Sequence, residues 1–160
     1  MKALTIYQPW ASLIMVGAKP FEFRRWDYSV RYAALVGKRI VVHASARPIK
    51  PVEIEDIFER MEDGESSLRD EIARPLLERL RDAYKCQGIL ELSAGLGTAI
   101  IGKPRSVTNM FRGTPAADSD RLDHSLYGWP LTDIQPFEHP RPCRGAQGFW
   151  NWPTDLEASS

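Results

Sequence analysis

Apolar and polar residues alternate along this chain with two different periods, and the changes of period mark its elements. Residues 3–8, ALTIYQ, alternate as a strand requires, because successive side chains of a strand face opposite sides. PWASLIMVG then reads as a short helix. Pro9 suits its first turn, Trp10, Leu13 and Ile14 share one face, and Gly17 can close it in the left-handed conformation. A helix so short holds only by packing. KPFEFRRWD, from Lys19 to Asp27, returns to alternation as a second strand. KRIVVHASA, residues 38–46, is the third, β-branched and apolar at its centre.

At Pro51 the period becomes helical, with Ile54, Ile57, Phe58 and Met61 spaced i, i+3, i+4, i+7. DGESS interrupts it, and Ser67 with Asp70 three residues on resembles a capping box. The second helix predicted there runs to about Tyr84 and buries Ile72, Leu76, Leu77 and Leu80, with Pro75 kinking or restarting it. Residues 97–111 and 127–140 read as further strands, which Pro104, Pro130 and Pro136 confine to edges, bulges or ends. Residues 112–125 are polar and turn-rich, and are expected to form a mobile loop. RGAQGFWNWP supplies a last strand. The pattern predicts a mixed α/β (α+β) domain over residues 1–153, with a helical insertion at about 51–84 and a tail at 154–160. About six short strands with helices outside suit a small β-barrel better than a doubly wound sheet.

Composition sharpens this in two places. Lys plus Arg and Asp plus Glu both number 21, which argues against a broad, non-specific nucleic-acid coat. The charge is unevenly spread, however. Residues 19–50 hold eight basic side chains against Glu22 and Asp27, whereas residues 53–82 hold eleven acids against five bases. An anionic ligand therefore belongs with the first segment, and the second is the solvated face of two helices. No apolar run reaches the roughly eighteen residues of a membrane span, and Met1 to Ile6 lacks a secretory h-region. Cys86 and Cys143 form no disulfide framework or zinc knuckle, and His43, His124 and His139 are not at metal-ligand spacing. No metal or cofactor is implied, and the cytoplasm is the default compartment.

The strand from Lys19 to Asp27 carries the candidate chemistry. Phe21, Phe23 and Arg25 face one way, and Glu22, Arg24 and Trp26 the other, with Lys19 just upstream. Glu22 and Arg24 lie about 7 Å apart at their alpha carbons, so their side chains can meet. An exposed pair of this kind contributes at most about 1 kcal/mol, which makes stability a weak reason for it. An indole beside a guanidinium can stack a base, or can form a surface cation–π pair. Of the five tryptophans, Trp10 and Trp150 read as core, while Trp26, Trp129 and Trp152 are left open. Gly95 and Gly97 lack the third glycine and following helix of a dinucleotide fingerprint, and read as turn glycines. No G-x-S-x-G elbow marks a serine hydrolase.

An ordered set of short motifs covers almost the whole chain: Q-P-W-A at 8–11, G-x-K-x-x-E-x-R at 17–24, H-A-S at 43–45 and G-x-Q-G-x-W at 145–150. The set resembles the ASCH family. That resemblance implies a PUA-like fold, a barrel of about six strands with helices around a cleft, in a superfamily that binds RNA or modified nucleobases. By the family's pattern Lys19, Glu22 and Arg24 line the cleft, with Gln8, Trp10, His43 and Ser45 near them; Trp26, the indole beside Arg24 and Arg25, is added as a nucleotide-binding candidate from its place in the strand alone. The protein is thus expected to bind RNA or a nucleotide and to recognise a nucleobase or modified nucleoside.

A nucleic-acid-processing enzyme is the alternative. One branch of the family is similar to an amidohydrolase of acetylated cytidine nucleosides that uses a lysine, a threonine three residues later and a glutamate. Lys19 matches the lysine, but Glu22 stands at the threonine position and cannot simply replace a hydroxyl. For a ribonuclease, Lys19, Tyr7 and Ser45 are the groups on offer, so Lys19, Glu22, Tyr7 and Ser45 together are the catalytic candidates. A third reading is a protein-interaction domain that works through its acidic helices.

Overall fold

The computed structural model describes residues 1–27, 30–83, 88–110 and 125–156. Strand β1 (Lys2–Ile6) leads into helix α1 (Trp10–Met15), and β2 (Phe21–Arg24) follows. A single helical turn, α2 (Val30–Ala33), precedes β3 (Arg39–Ala44), and the insertion then forms α3 (Pro51–Glu62) and α4 (Asp70–Asp82). The chain returns through β4 (Ala94–Ile101), the two-residue β5 (Arg105–Ser106) and the turn α5 (Val107–Met110). It ends in β6 (Tyr127–Pro142), β7 (Phe149–Asn151) and a 3-10 turn at Thr154–Leu156.

The strands form one curled half-barrel in the order β2-β6-β4-β3-β1-β7, with β5 on β6. Only β1 and β3 pair in parallel, because the chain between them passes through α1, β2 and α2 before it returns. Alternation along β1 and β3 sends Leu4, Ile6, Ile40, Val42 and Ala44 into the barrel beside the fully buried Trp129. The residues between them, Ala3 and Val41, face outward onto Trp152. α1 links two cores, placing Ile14 in the barrel and Leu13 against the insertion.

α3 buries Ile54, Ile57, Phe58 and Met61, as its spacing predicts. α4 departs from expectation. Its N-cap is Arg69 with no side-chain cap, so Ser67 does not close a capping box, and the helix runs unbroken past Pro75. Its inward stripe is Ala73, Leu77 and Leu80, while Ile72 is exposed and Leu76 half-buried. The small Ala73 lies on the i, i+4, i+7 line that meets α3, and a count of large apolar residues overlooks it.

The second region of difference is the second half of the sheet. β4 starts at Ala94, so Gly95 and Gly97 lie inside a strand, where the pairing with β6 shifts register, and not in a turn. A β-carbon on Gly95 would come within 2.5 Å of the Trp152 ring, which is why that position has none. β6 is longer than predicted and absorbs Pro130 at its pairing with the start of β2 and Pro136 at the bulge opposite Gly97. The loop predicted at 112–125 lies, but for Ser125, outside the described residues, as do Tyr84 and Cys86. Trp10 and Trp150, expected in the core, pack against it only in part, and two of the tryptophans left open are the buried ones. Trp129 and Trp152 are buried, whereas Trp10 and Trp150 are half-buried.

Candidate nucleotide site at the barrel seam

Gly17, at φ +80°, ends α1, and the amides of Ala18 and Lys19 both bond to the Leu13 carbonyl. This tight exit draws Lys19 back under the helix. Its side chain is 1% exposed, which is rare for a lysine. Nζ donates to the Phe21 carbonyl at 2.7 Å, lies 3.5 Å from Glu22 Oε2, and sits over the rings of Phe23 and Trp10 at 4.9 and 5.7 Å.

β2 then sets the carboxylate. Glu22 is paired directly with Trp129 of β6, and cross-strand partners share a face, so the 6%-exposed Glu22 points into the barrel. Arg24, two residues on, follows it. Its Nε is 2.9 Å from Glu22 Oε1 but lies too far out of line for a hydrogen bond, while Nη2 donates to the Thr5 carbonyl at 2.9 Å. That last bond spans the seam between β2 and β1, at the end of β1 that β7 leaves uncovered.

Two cations thus share one carboxylate in a largely buried cluster. Burial is the main force lowering the Lys19 pKa from 10.5 to about 8; Glu22 opposes it and Arg24 adds to it. At neutral pH Lys19 is still mostly charged, and the cluster carries an excess positive charge. An arrangement of this kind offers forked guanidinium donors and an ammonium to an oxygen-rich ligand, and a carboxylate acceptor to an amino group.

The other candidates have separate placements. Trp10 shares the cluster through Lys19. Gln8 is 1% exposed and committed to structure: its carbonyl accepts from the Ser12 amide, satisfying an N-terminal N–H of α1, and its amide donates to the Glu91 carbonyl. Trp26 belongs to an aromatic cluster, stacked on Tyr32 at 4.7 Å and set against Trp129 and Phe149, each at 5.3 Å. It closes the barrel seam, and Arg24 lies over it at 5.6 Å.

His43 and Ser45 lie apart from Lys19. His43 faces outward beside Trp150 and Trp152, with Nε2 2.9 Å from the Cys143 carbonyl and Nδ1 3.3 Å from Thr5 Oγ1. Gly145 covers it so closely that a β-carbon there would sit 2.5 Å from the imidazole, which is the use of the first glycine in G-x-Q-G-x-W. Ser45 Oγ accepts from the Arg47 amide, and the Arg47 guanidinium lies 4.9 Å over the half-exposed ring of Tyr7. Arg47, held by Glu53, escaped the sequence reading; its only signal was membership of the cationic run before the acidic helices. Among the described residues no three His, Cys, Asp or Glu side chains gather as a metal site.

Residues 4–92, more than half of the chain, match the ASCH domain. The chain belongs to the ASCH domain family. The matched span holds the last three residues of β1 with α1, β2 and β3, and with them the whole Lys19 cluster. The fold extends the likeness to nearly the full length. A crystal structure of ASCH from Zymomonas mobilis superposes with a TM-score of 0.52 at 13% identity, covering 98% of this chain and 90% of that one. The structure of a serine-to-alanine mutant of the Zymomonas mobilis protein gives a TM-score of 0.50 at 12% identity, covering 98% of this chain and 91% of that one. At such identity the likeness speaks to the fold alone. No curated relative matches the sequence. The α+β, PUA-like barrel expected of the family is the one observed, and no helix among the described residues is long and apolar enough to cross a membrane.

Proposed function

We propose that this ASCH domain binds RNA or a nucleotide at the seam between β1 and β2, with Glu22 and Arg24 reading the base or its phosphate and Lys19 supplying charge. The observation that carries this reading is the Arg24 guanidinium at the seam, whose buried Nε lies 2.9 Å from Glu22 Oε1 without an aligned acceptor, beside the buried Lys19–Glu22 pair. A buried guanidinium N–H without an aligned acceptor is costly, so an arrangement of this kind is worth keeping for what it binds. The family's fold agrees. Binding suits the cluster better than amide hydrolysis, because Glu22 has no hydroxyl with which to attack an acyl group.

Titration of a short single-stranded RNA tests the proposal. Arg24→Ala should weaken binding by about 1.5–3 kcal/mol, the range for a hydrogen bond to a charged group, while the protein stays folded. Unchanged affinity with a large drop in melting temperature would reduce Arg24 to a seam bolt and overturn the reading.

A further inference from the structure

The last residues of β1 form an open edge beside the seam. β7 pairs with β1 only as far as Leu4, so Thr5, Ile6 and Tyr7 have no paired strand on that side. The Ile6 carbonyl accepts from the Ser45 amide, which directs it to β3. A trans peptide sets its N–H opposite its carbonyl, so the Tyr7 N–H points the other way. It therefore lies on the edge where the Thr5 carbonyl meets Arg24, and it has no acceptor among the described residues.

Beside that amide stands the Tyr7 side chain, and the residue is 45% exposed. The Arg47 guanidinium lies over one face of the ring, 4.9 Å from its centroid. Arg47 is tied down: both Glu53 carboxylate oxygens accept from its guanidinium, and Ser45 Oγ accepts from its amide. Glu53 is itself held by the Lys50 amide, 2.9 Å away at the start of α3. The hydrogen bonds of Arg47 are thus spent inside the fold, and what it gives Tyr7 is a fixed backing. An exposed ring with one face already supported costs little to order on binding, and every nucleobase has a face to lay on it. Tyr7 lies two residues beyond Thr5, about 7 Å along the strand direction, so the neighbour of a nucleotide held at Arg24 can reach it.

We propose that Tyr7 stacks a second nucleobase, adjacent to the one held at Arg24, while its backbone N–H donates to the phosphate between the two. The ligand is then single-stranded RNA of at least two nucleotides and not a free nucleotide. This inference rests on the binding at the seam proposed above and specifies the form of its ligand.

The four nucleoside 5′-monophosphates are titrated into the protein, followed by the two dinucleotides in which the tightest binder is extended by adenosine on its 3′ or its 5′ side. One dinucleotide should bind at least about fivefold more tightly than its monophosphate, the low end for one base stacked on an aromatic side chain. Tyr7→Leu, at an exposed position, should abolish that gain and leave the monophosphate affinity within about twofold of wild type, whereas Tyr7→Phe should keep the gain. Arg24→Ala should weaken monophosphate and dinucleotide alike. Monophosphate binding that depends on Arg24, with no gain from either dinucleotide or with a gain that survives in Tyr7→Leu, would overturn the stacking shelf and leave the pocket standing. Binding of none of these probes would overturn both.

Discussion

Thr5 belongs to two buried polar clusters at once, one on each face of the sheet. Its hydroxyl joins the outer one: Trp150 Nε1–H donates to Thr5 Oγ1 at 3.0 Å, the Thr5 hydroxyl donates to His43 Nδ1 at 3.3 Å, and His43 Nε2–H donates to the Cys143 carbonyl at 2.9 Å. Every proton in that chain has one acceptor, which fixes the imidazole tautomer. Burial lowers the His43 pKa, only partly offset by the Cys143 carbonyl, so the chain is neutral as well as satisfied. The Thr5 carbonyl joins the inner cluster by accepting from Arg24, and there two cations meet one carboxylate. The outer network is complete without a ligand and reads as structure. In the inner one Arg24 Nε has no aligned acceptor, and on the function proposed above that difference separates a scaffold from a candidate site even though both lie in family motifs.

The sharpest way to break this contrast is to remove the shared carboxylate. Glu22→Gln leaves the buried Lys19 facing the partly exposed Arg24 without their carboxylate, and loss of one partner from a buried ion cluster costs about 3–5 kcal/mol. Urea denaturation should show a loss of that order. A change below about 1 kcal/mol would mean that water already screens the cluster as at an exposed pair.

The pH response comes next in size. The folded Lys19 pKa of about 8 lies below the 10.5 of an ordinary lysine, so between those values the unfolded chain binds more protons than the folded one. This residue's contribution to stability is therefore unfavourable below pH 8 and recovers as pH rises through the window, by about 3 kcal/mol in all. Lys19→Met, which cannot titrate, should lack that rise. RNA affinity should move the opposite way, falling above pH 8 as the ammonium is lost. Parallel pH trends in stability and affinity would contradict the assigned role.

His43→Leu tests the other face. It leaves the Thr5 hydroxyl proton without its acceptor, while the Cys143 carbonyl keeps the Ser93 hydroxyl at 3.2 Å, so the cost is about 1–3 kcal/mol for one buried group left unsatisfied. The folded variant should bind RNA as the wild type does. A loss of affinity matching that of Arg24→Ala would join the two faces into one site.

Much of this was legible in the sequence, and the limits have physical causes. The spacing in α3, the strands β1 and β3 and the exit at Gly17 were local signals, and each is found as expected, whereas in β2 the core face expected at Phe21 and Phe23 gives way to Glu22 and Phe23, both buried. The meeting of Lys19, Glu22 and Arg24 was also local, since all lie within one turn and one strand. Long-range pairing decided the rest. Nothing near Thr5 announces His43, Trp150 or Arg24, whose partnership depends on β1 lying between β3 and β7. Two tryptophans stayed open in the sequence for the same reason: Trp129 is buried because β6 lies between β2 and β4, and Trp152 because Gly95 makes room for it. Family motifs did not separate site from scaffold, since Gln8 and His43 belong to them and serve the fold.

The smallest expected effect concerns salt, and it distinguishes a pocket from a groove. Each phosphate neutralised on a single strand contributes about 0.7 to the slope of log affinity against log salt. The chain as a whole is neutral, and Arg47, the cation over Tyr7, is already paired with Glu53. Lys19 and Arg24 are the principal cations at the seam, with the exposed Arg25 next to them. One to three phosphate contacts follow, hence a slope of about 0.7 to 2, and between 50 and 200 mM salt the affinity should fall by about threefold to twentyfold. Arg24→Ala should flatten the slope by about 0.7 if its guanidinium meets phosphate, and leave it unchanged if the fork meets a base edge. His43→Leu should leave the slope untouched in either case. A wild-type slope near 4, the value for about six phosphates, would require an extended cationic track, and the charge excess in the Lys19 cluster would then be one contact among many instead of the site itself.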